Sequence, residues 1–537
     1  GLSQQNEYYF TGATRRNIRG FVACSEPARL RREDCMKRVC IASCCAILLF
    51  VCGVSIQAAD EKKYEANWES LDKRPMPEWY PDAKFGIFIH WGTYSVPSWG
   101  ERDQYAEWYW NYAFEADGKT LKNNTWGNSH KKNFGADFPY QNFAAMFKAE
   151  LFNPDEWADI FQRSGAKYIA LTSKHHEGFC LWPNEQASKT WGRPWNSVET
   201  GPHRDLAGDL TQAVRAKGLK MGFYYSLYEW FNPLWLTDKK RYVDEHMTPQ
   251  FKDLVTRYKP SIIFSDGEWD LPSSEWKSPE LLAWLFNESP CRDEVVVDDR
   301  WGKDTRHKHG SYYTTEYGAG LPDAKNFWEE NRGMGFSYGF NRNEPLSNYR
   351  TGHELVWMFA DLVSRGGNLL LNIGPTADGR IPVIMQDRLL YLGDWLKVNG
   401  EAIYGTRTWK KTNQWTAGET PKQEHGEFKV KYSILETAGQ KPRVDKDGKQ
   451  WAVKNVFFTF KPKEKTLFAI TPGWPKNELL LEGVKATPGQ TVVTLLGRDG
   501  EMKWETKGDN LVIQVPLLTV DEVPCRDAFA FKITNVE

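Results

Sequence analysis

The feature of this sequence that most constrains its fold is a repeated alternation of apolar runs with amphipathic stretches between residues 68 and 399. Short apolar runs bounded by Gly, Pro or charged residues predict buried strands, and stretches with apolar residues every three or four positions predict helices. The predicted strands lie at residues 85–90, 168–173, 220–225, 262–266, 294–297, 311–315 and 368–373, with an eighth near 335–338. Eight such strands alternating with helices predict an α/β protein with a (β/α)8-like (TIM) barrel.

The pattern changes after residue 404. Shorter runs that alternate apolar and polar residues follow one another, separated by Gly, Pro, Asn and Asp; they lie at residues 453–460, 467–471, 491–495, 511–515 and 528–533. Runs of this kind are typical of an all-β sandwich. The sequence therefore predicts a barrel domain at residues 60–404 and a C-terminal β-sandwich at 405–537.

The amino-terminal segment has the features of a targeting sequence, and we do not expect it to belong to the folded domains. Met36 is followed by two basic residues, an apolar run at 39–54 and small residues up to Ala59. This order predicts a cleavable signal peptide at 36–59, and the run is too short to span a membrane comfortably. Residues 1–35 are interpreted as upstream sequence from an early start. A lipoprotein acylated at Cys52 is the less favoured alternative, because the residues before it are bulky.

Composition excludes several classes of partner. A net charge of −1 and a pI near 6.9 give no reason to expect nucleic acid or an anionic membrane surface as partner. Six of the nine cysteines lie before residue 60, and Cys180, Cys291 and Cys525 are too widely spaced for a disulfide framework. The chain has 25 Trp, 23 Tyr and 29 Phe, and flat amphipathic rings suit the apolar faces of sugars. We therefore expect a secreted or periplasmic protein without stable membrane insertion.

One predicted strand ends in three carboxylates. The apolar run at 262–264 is followed by Asp266, Glu268 and Asp270. An isolated Asp-Gly is usually only a turn, but parallel barrels place their chemistry at the carboxyl ends of the strands. Polar or aromatic groups also follow the other predicted strands, at 90–92, 174–178, 224–226, 299–301 and 314–317. Because these ends would meet at one face, Asp266 is a candidate catalytic carboxylate.

Several of these strand ends match a known family. The motifs are His90-Trp91-Gly92, Glu107-Trp108, Lys174-His175-His176-Glu177-Gly178-Phe179, Tyr225-Ser226-Leu227-Tyr228-Glu229-Trp230, Ser265-Asp266-Gly267-Glu268-Trp269, Asp299-Arg300-Trp301-Gly302 and Asn372-Ile373-Gly374-Pro375. Together they resemble glycoside hydrolase family 29, the α-L-fucosidases, from about residue 68 to 409, with a weaker likeness beyond. The resemblance implies a retaining exo-hydrolase that removes terminal α-L-fucose through a covalent fucosyl-enzyme and needs no metal or cofactor.

The resemblance also implies roles for the carboxylates. A retaining glycosidase needs two carboxyl groups about 5 to 5.5 Å apart, one as nucleophile and one as acid/base. Asp266 matches the family's nucleophile motif. The acid/base lies on loops that vary within the family; Glu316 is the first choice, Glu329 the second and Asp299 a distant third.

The remaining matched residues are expected to bind the sugar. They are His90, Glu107, Trp108, His175, His176, Tyr225 and Arg300. Two adjacent histidines can face one pocket only where the strand has given way to a loop, which the 174–178 segment allows. The alternatives are metal ligation or core hydrogen bonding for the histidines, and bracing of the nucleophile by Arg300.

Other functions stay open at this point. A secreted fucose-binding protein that has lost catalysis would share the fold but lack one catalytic carboxylate, and a narrow α-1,3/1,4-fucosidase would demand a branched substrate. The expected partner is a fucosylated oligosaccharide or glycoconjugate, with no nucleic acid. The sequence leaves linkage preference and homo-oligomer formation undetermined. Packing against the barrel is favoured over carbohydrate binding for the β-domain.

Overall fold

The computed structural model describes residues 63–322, 325–422 and 433–536. The predicted upstream segment and signal peptide lie outside these residues. Within them, no helix combines the length and the apolar character that a membrane crossing requires.

The barrel is built on one sheet of eight parallel strands. They are β1 (Phe85–Ile89), β2 (Tyr168–Lys174), β3 (Lys220–Ser226), β4 (Ile262–Asp266), β5 (Val296–Val297), β6 (Tyr313–Glu316), β7 (Trp328–Gly333) and β8 (Gly367–Ile373). Their order is β5-β4-β3-β2-β1-β8-β7-β6, so the two ends of the sheet are β5 and β6. These two strands share no ladder, although Ser311 N–H donates to the Val297 carbonyl at 2.9 Å just before β6. The (β/α)8-like prediction is confirmed, with one open seam.

The eighth strand lies at Trp328–Gly333 and not near 335–338, where the sequence predicts it. The prediction was wrong because this strand carries three charged side chains and no apolar run. All are buried and have partners: Glu330 accepts from the hydroxyl of Thr315 and the N–H of Gly318, and the Arg332 guanidinium packs over the ring of Tyr317. Charged side chains can be buried in a strand when they are paired. The sequence of such a strand lacks the apolar pattern from which a strand is predicted.

Helices cover the outside of this sheet and fill the connections. They are α1 (Trp68–Leu71), α2 (Trp79–Ala83), α3 (Tyr109–Ala113), α4 (Thr125–Phe134), α5 (Phe143–Met146), α6 (Pro154–Arg163), α7 (Glu185–Trp191), α8 (Leu206–Ala216), α9 (Pro233–Thr237), α10 (Lys239–Arg241), α11 (Thr248–Tyr258), α12 (Ser273–Trp276), α13 (Ser278–Asn287), α14 (Gly352–Ser364), α15 (Val383–Asn399) and α16 (Ile434–Thr437). Local signals set their starts: Asn153 caps α6 ahead of Pro154, and Thr351 and Glu354 form a capping box on α14.

The inside of the barrel is filled by alternate residues of the strands. Phe88, Tyr168, Tyr224, Phe264 and Leu370 belong to one buried cluster, separate from the larger core between strands and helices. Such a packed interior closes the barrel axis, because side chains and not solvent occupy it. An open cavity can therefore form only at an end of the barrel.

The C-terminal domain is a sandwich of two antiparallel sheets. Its strands are β9 (Asn413–Trp415), β10 (Arg443–Val444), β11 (Gln450–Trp451), β12 (Lys454–Lys461), β13 (Thr466–Pro472), β14 (Glu478–Leu481), β15 (Val493–Leu495), β16 (Trp504–Lys507), β17 (Asn510–Gln514) and β18 (Ala528–Ile533). One sheet has the order β15-β18-β13-β12-β9 and the other β14-β17-β16, while β10 and β11 form a separate hairpin. A shared core that includes Phe458, Leu479 and Phe531 joins the two sheets. The predicted β-sandwich is confirmed.

Buried polar contacts attach this domain to the barrel. Lys454 of β12 reaches Asp361 of α14 at 2.6 Å, and Arg365 contacts the other oxygen of Asp361 at 2.9 Å, with all three side chains buried. Trp395 of α15 donates its indole N–H to the Ala528 carbonyl at 2.8 Å. Buried contacts therefore join the barrel to the C-terminal domain, and the C-terminal domain packs against the barrel.

We expect Asp361→Ala to destabilise the protein by about 3–5 kcal/mol, because it leaves two buried cations without their shared carboxylate. Urea denaturation measures the free energy of unfolding. Lys397→Ala is the control, since its ion pair with Asp394 is largely exposed and its loss should cost no more than about 1 kcal/mol. Equal losses in the two variants would contradict the assignment of the interdomain contact.

Candidate active site

A cavity of about 380 Å³ opens at the carboxyl ends of the barrel strands. It is lined by Phe88, His90, Tyr105, Glu107, Trp108, His175, Tyr224, Phe264, Asp266, Trp269, Arg300, Arg306, Glu316, Asn331 and Tyr338. Four of the lining residues, His90, His175, Asp266 and Glu316, end a strand or follow it directly, and the others come from within the strands or from the connections after them. This is the end of a parallel barrel at which ligands are expected to bind.

Asp266, the last residue of β4, is held by three polar neighbours. Tyr224 donates its hydroxyl to one carboxylate oxygen at 2.9 Å, and His176 Nε2 lies 3.5 Å from the same oxygen. Arg300 donates to the other oxygen at 3.2 Å. Burial alone would raise the pKa of Asp266, but the positive charge of Arg300 outweighs burial and holds the pKa below its ordinary value. Asp266 is therefore ionised at neutral pH.

Arg300 joins Asp266 to a second carboxylate. Its other terminal nitrogen donates to Glu316 at 3.0 Å, and the guanidinium lies 4.9 Å from the ring centre of Phe264. Glu316 also accepts a hydrogen bond from the hydroxyl of Tyr105 at 3.2 Å. Because one planar guanidinium contacts both carboxylates, Asp266 and Glu316 lie side by side in the cavity.

Asp299 fixes the orientation of Arg300 from behind. Its Oδ1 accepts from the hydroxyl of Thr314 at 2.8 Å, and that hydroxyl accepts from Arg300 Nε at 3.0 Å. Its Oδ2 accepts from the His307 N–H at 2.9 Å. Asp299 is fully buried and does not line the cavity, so the structure places this third acid/base candidate in a supporting position.

Glu329 does not line the cavity that contains Asp266. It is the second residue of β7, at the amino end of the parallel sheet, whereas Asp266 ends its strand. Glu329 accepts hydrogen bonds from Tyr80, at 3.1 Å, and from Tyr168, and burial raises its pKa to about 7. The structure therefore brings Glu316, and not Glu329, into the cavity with Asp266.

Two of the predicted histidines, His90 and His175, line the cavity, and the third, His176, contacts Asp266 without lining the cavity. His90 Nδ1 lies 2.7 Å from the side-chain oxygen of Asn372, whose amide N–H₂ donates to the Tyr338 carbonyl, so Nδ1 carries the proton and Nε2 is an acceptor. His176 Nδ1 lies 2.6 Å from the hydroxyl of Ser226. Burial lowers the pKa of His90 to about 3 and of His176 to about 4, and it lowers that of His175 well below its ordinary value. These rings are neutral hydrogen-bonding groups at neutral pH.

Glu107 and Trp108 form the opposite wall. Glu107 accepts from the Gly339 N–H at 2.8 Å and from the Ser337 hydroxyl at 3.3 Å, and burial raises its pKa to about 8. Trp108 packs against Trp230 with ring centroids 5.0 Å apart. In the described part of the chain, no group of three or more His, Cys, Asp or Glu side chains is arranged to hold a metal.

Tyr225 lies outside the cavity, contrary to the expectation from its motif. Its hydroxyl donates to the side-chain oxygen of Gln250 at 2.8 Å, behind the sheet, and Tyr224 takes the position beside Asp266. Neighbouring residues of a strand face opposite sides, and the register pairs Tyr224 with Phe264 and Ser226 with Asp266. The period of two along β3 allows only one of the two tyrosines to face the cavity, and the register with β4 selects Tyr224.

Other lining residues gave no sequence signal. Asn331 lies on the charged strand β7, and Tyr338 lies in the loop after it. Tyr105 and Arg306 come from connections between elements, where no periodicity marks them. A pair of neighbouring carboxylates such as Asp266 and Glu316 in the cavity of a TIM-like barrel is typical of a glycoside hydrolase.

Comparison with known proteins identifies the family. The profile described as "Alpha-L-fucosidase" matches residues 52–401, and that of the "Alpha-L-fucosidase C-terminal domain" matches 449–534. The tissue alpha-L-fucosidase of Homo sapiens is 40% identical, over 90% of this chain and 94% of its own. The plasma alpha-L-fucosidase of Rattus norvegicus is also 40% identical, over 91% and 98%. The solved structure of Thermotoga maritima alpha-fucosidase with a mechanism-based inhibitor is 33% identical, covers 88% of this chain and 100% of its own, and gives a TM-score of 0.68. This chain belongs to the α-L-fucosidase family.

The two neighbouring tyrosines provide a matched test of the site. We expect Tyr224→Phe to lower kcat/KM on an aryl α-L-fucoside by at least about tenfold, because a hydrogen bond to a charged carboxylate contributes about 1.5–3 kcal/mol. Tyr225→Phe removes the same atom on the other side of the strand and should change kcat/KM by less than about twofold. The opposite result would return Tyr225 to the substrate site.

Proposed function

We propose that this chain is a retaining exo-α-L-fucosidase in which Asp266 is the nucleophile and Glu316 is the acid/base. The observation that carries the proposal is the contact of Arg300 with both carboxylates within one cavity. Such proximity suits a retaining mechanism, which needs its two carboxyl groups about 5 to 5.5 Å apart, and leaves less room for the water of an inverting one. The alternative of an inactive fucose-binding protein is disfavoured because both carboxylates are present.

In the first half of the reaction, ionised Asp266 attacks the anomeric carbon while Glu316 transfers a proton to the departing glycosidic oxygen. The hydrogen bond from Tyr224 and the charge of Arg300 favour the anionic form of the nucleophile. In the second half, Glu316 takes a proton from water, which attacks the fucosyl-enzyme and releases fucose with retained configuration.

The cavity suits a terminal fucose. His90 offers an acceptor at Nε2, and Glu107 and His175 add polar groups around the same space. Phe264 and Trp108 present apolar ring faces on which the C5 methyl group can pack. Since Phe88 and Phe264 belong to the packed barrel interior, the floor is closed and only the end of a glycan can enter. The proposed substrate is therefore a glycan or glycoconjugate with a terminal α-L-fucose.

We further propose that residues 36–59 are a cleavable signal peptide and that the mature enzyme is secreted or periplasmic. The support is the order of basic, apolar and small residues in this segment. Amino-terminal sequencing of the exported protein tests the cleavage position.

The nucleophile is tested by Asp266→Ala with an activated aryl α-L-fucoside. We expect turnover to fall by at least about a thousandfold, because covalent catalysis is lost. Azide should restore turnover and give β-L-fucosyl azide, since the small anion occupies the space of the missing carboxylate and attacks from the same side. Full activity without azide, or an α-configured azide product, would rule out Asp266 as the nucleophile.

The acid/base is tested by comparing leaving groups in Glu316→Ala. We expect a loss of about 10²–10⁴-fold on a natural fucosylated glycan, whose leaving group needs a proton, and a much smaller loss on a dinitrophenyl fucoside. Glu329→Gln is the matched control and should show no such dependence on the leaving group. If Glu329→Gln shows the dependence and Glu316→Ala does not, the assignment is reversed.

A further inference from the structure

The fifteen residues of the cavity divide sharply by exposure. Eleven are buried, including Asp266, Glu316 and the two lining residues that contact Asp266, Tyr224 and Arg300. Tyr105, Trp108 and Arg306 are half-buried, and Trp269 is 39% exposed. These four residues, three aromatic rings and one guanidinium, therefore form the mouth of the cavity.

Trp269 is held in place although it is exposed. Its ring lies 5.4 Å from the ring of His176, 5.7 Å from that of Tyr228 and 5.8 Å from that of Trp108, measured between centroids. These contacts cover part of the indole and leave the rest at the mouth. A large aromatic ring that is both fixed and exposed beside a polar cavity is a suitable surface for the C–H face of a sugar.

Arg306 is attached to the same short segment as Trp269. Its Nε donates to Glu268 at 2.6 Å, and Glu268 is buried between Asp266 and Trp269 in the chain. The ion pair holds the planar guanidinium at the cavity wall, where its N–H groups can donate to oxygen atoms of a ligand. The indole of Trp269 and the guanidinium of Arg306 are thus both held by the short segment that also carries Asp266, the proposed nucleophile.

In the described part of the chain, the charged side chains around Trp269 lie in ion pairs. Arg306 pairs with Glu268, and Asp270, next to Trp269, pairs with Lys239 at 2.8 Å. Balanced pairs give no strong field to attract a polyanionic ligand. The chemistry of this surface therefore favours a neutral sugar over a sulfated or carboxylated one.

We propose that Trp269 and Arg306 form a subsite for the sugar to which the fucose is attached, a neutral hexopyranose that stacks on the indole and accepts hydrogen bonds from the guanidinium. The inference rests on the proposed function: with fucose bound beside Asp266 and Glu316 in the closed part of the cavity, the leaving group must point to the mouth. The two residues then decide which glycans are hydrolysed efficiently.

Two substrates separate this subsite from the catalytic site. α-L-Fucosyl fluoride has no aglycone ring, whereas fucosyl-α-1,2-lactose places a galactose next to the fucose. We expect Trp269→Ala to lower the ratio of kcat/KM for the trisaccharide to kcat/KM for the fluoride by about tenfold. Trp269→Phe, which keeps an aromatic face, should lower the ratio by no more than about threefold. Equal losses on the two substrates would overturn the proposal.

Arg306 is tested with the same ratio. We expect Arg306→Gln to lower it by about fivefold to tenfold through loss of a charged donor. Lys239→Ala is the control, because it removes the neighbouring ion pair but does not line the cavity, and its ratio should stay within about twofold of wild type. A ratio unchanged in Arg306→Gln would exclude Arg306 from the subsite. Absence of fluoride hydrolysis by the wild-type enzyme would instead contradict the proposed function itself.

Discussion

The site depends on one cation between two carboxylates. Asp266 and Glu316 share a poorly solvated cavity in which two negative charges would repel each other, and the guanidinium of Arg300 offsets that repulsion while fixing both groups. The guanidinium is itself oriented by Thr314, through it by Asp299, and by the ring of Phe264. Asp266, the proposed nucleophile, is therefore kept ionised by a guanidinium that Thr314, Asp299 and Phe264 hold in position.

The same contacts span the seam of the barrel, between the two end strands β5 and β6. Asp266 ends β4, Arg300 follows β5 and Glu316 ends β6, while β5 and β6 share no strand ladder. Side-chain hydrogen bonds from Arg300 to Thr314 and Glu316 join the two ends of the sheet at this seam. The carboxylate pair thus lies at a seam where these side-chain hydrogen bonds add to the backbone hydrogen bond from Ser311 to Val297.

The cavity is also layered along the barrel axis. Its floor is apolar and packed, its middle carries neutral histidines and the two carboxylates, and its mouth is aromatic with balanced ion pairs. Burial explains this order, because it removes charge from the histidines but not from Asp266, which has Arg300 beside it. A ligand that is polar around one ring and has an apolar methyl group matches the middle layer. The attached sugar would contact the mouth.

By itself, the sequence determined the barrel, the β-sandwich and the candidate nucleophile, because apolar period, chain order and strand ends are local properties of the chain. It did not determine which side of β3 faces the cavity, since the strand is apolar on both sides and only its register with β4 selects Tyr224 over Tyr225. It also missed the strand Trp328–Gly333, whose charges are paired only in the folded protein. The sequence ranked Glu316 before Glu329 as the second carboxylate but could not place either beside Asp266; the strand order and the direction of each strand bring Glu316 to Arg300.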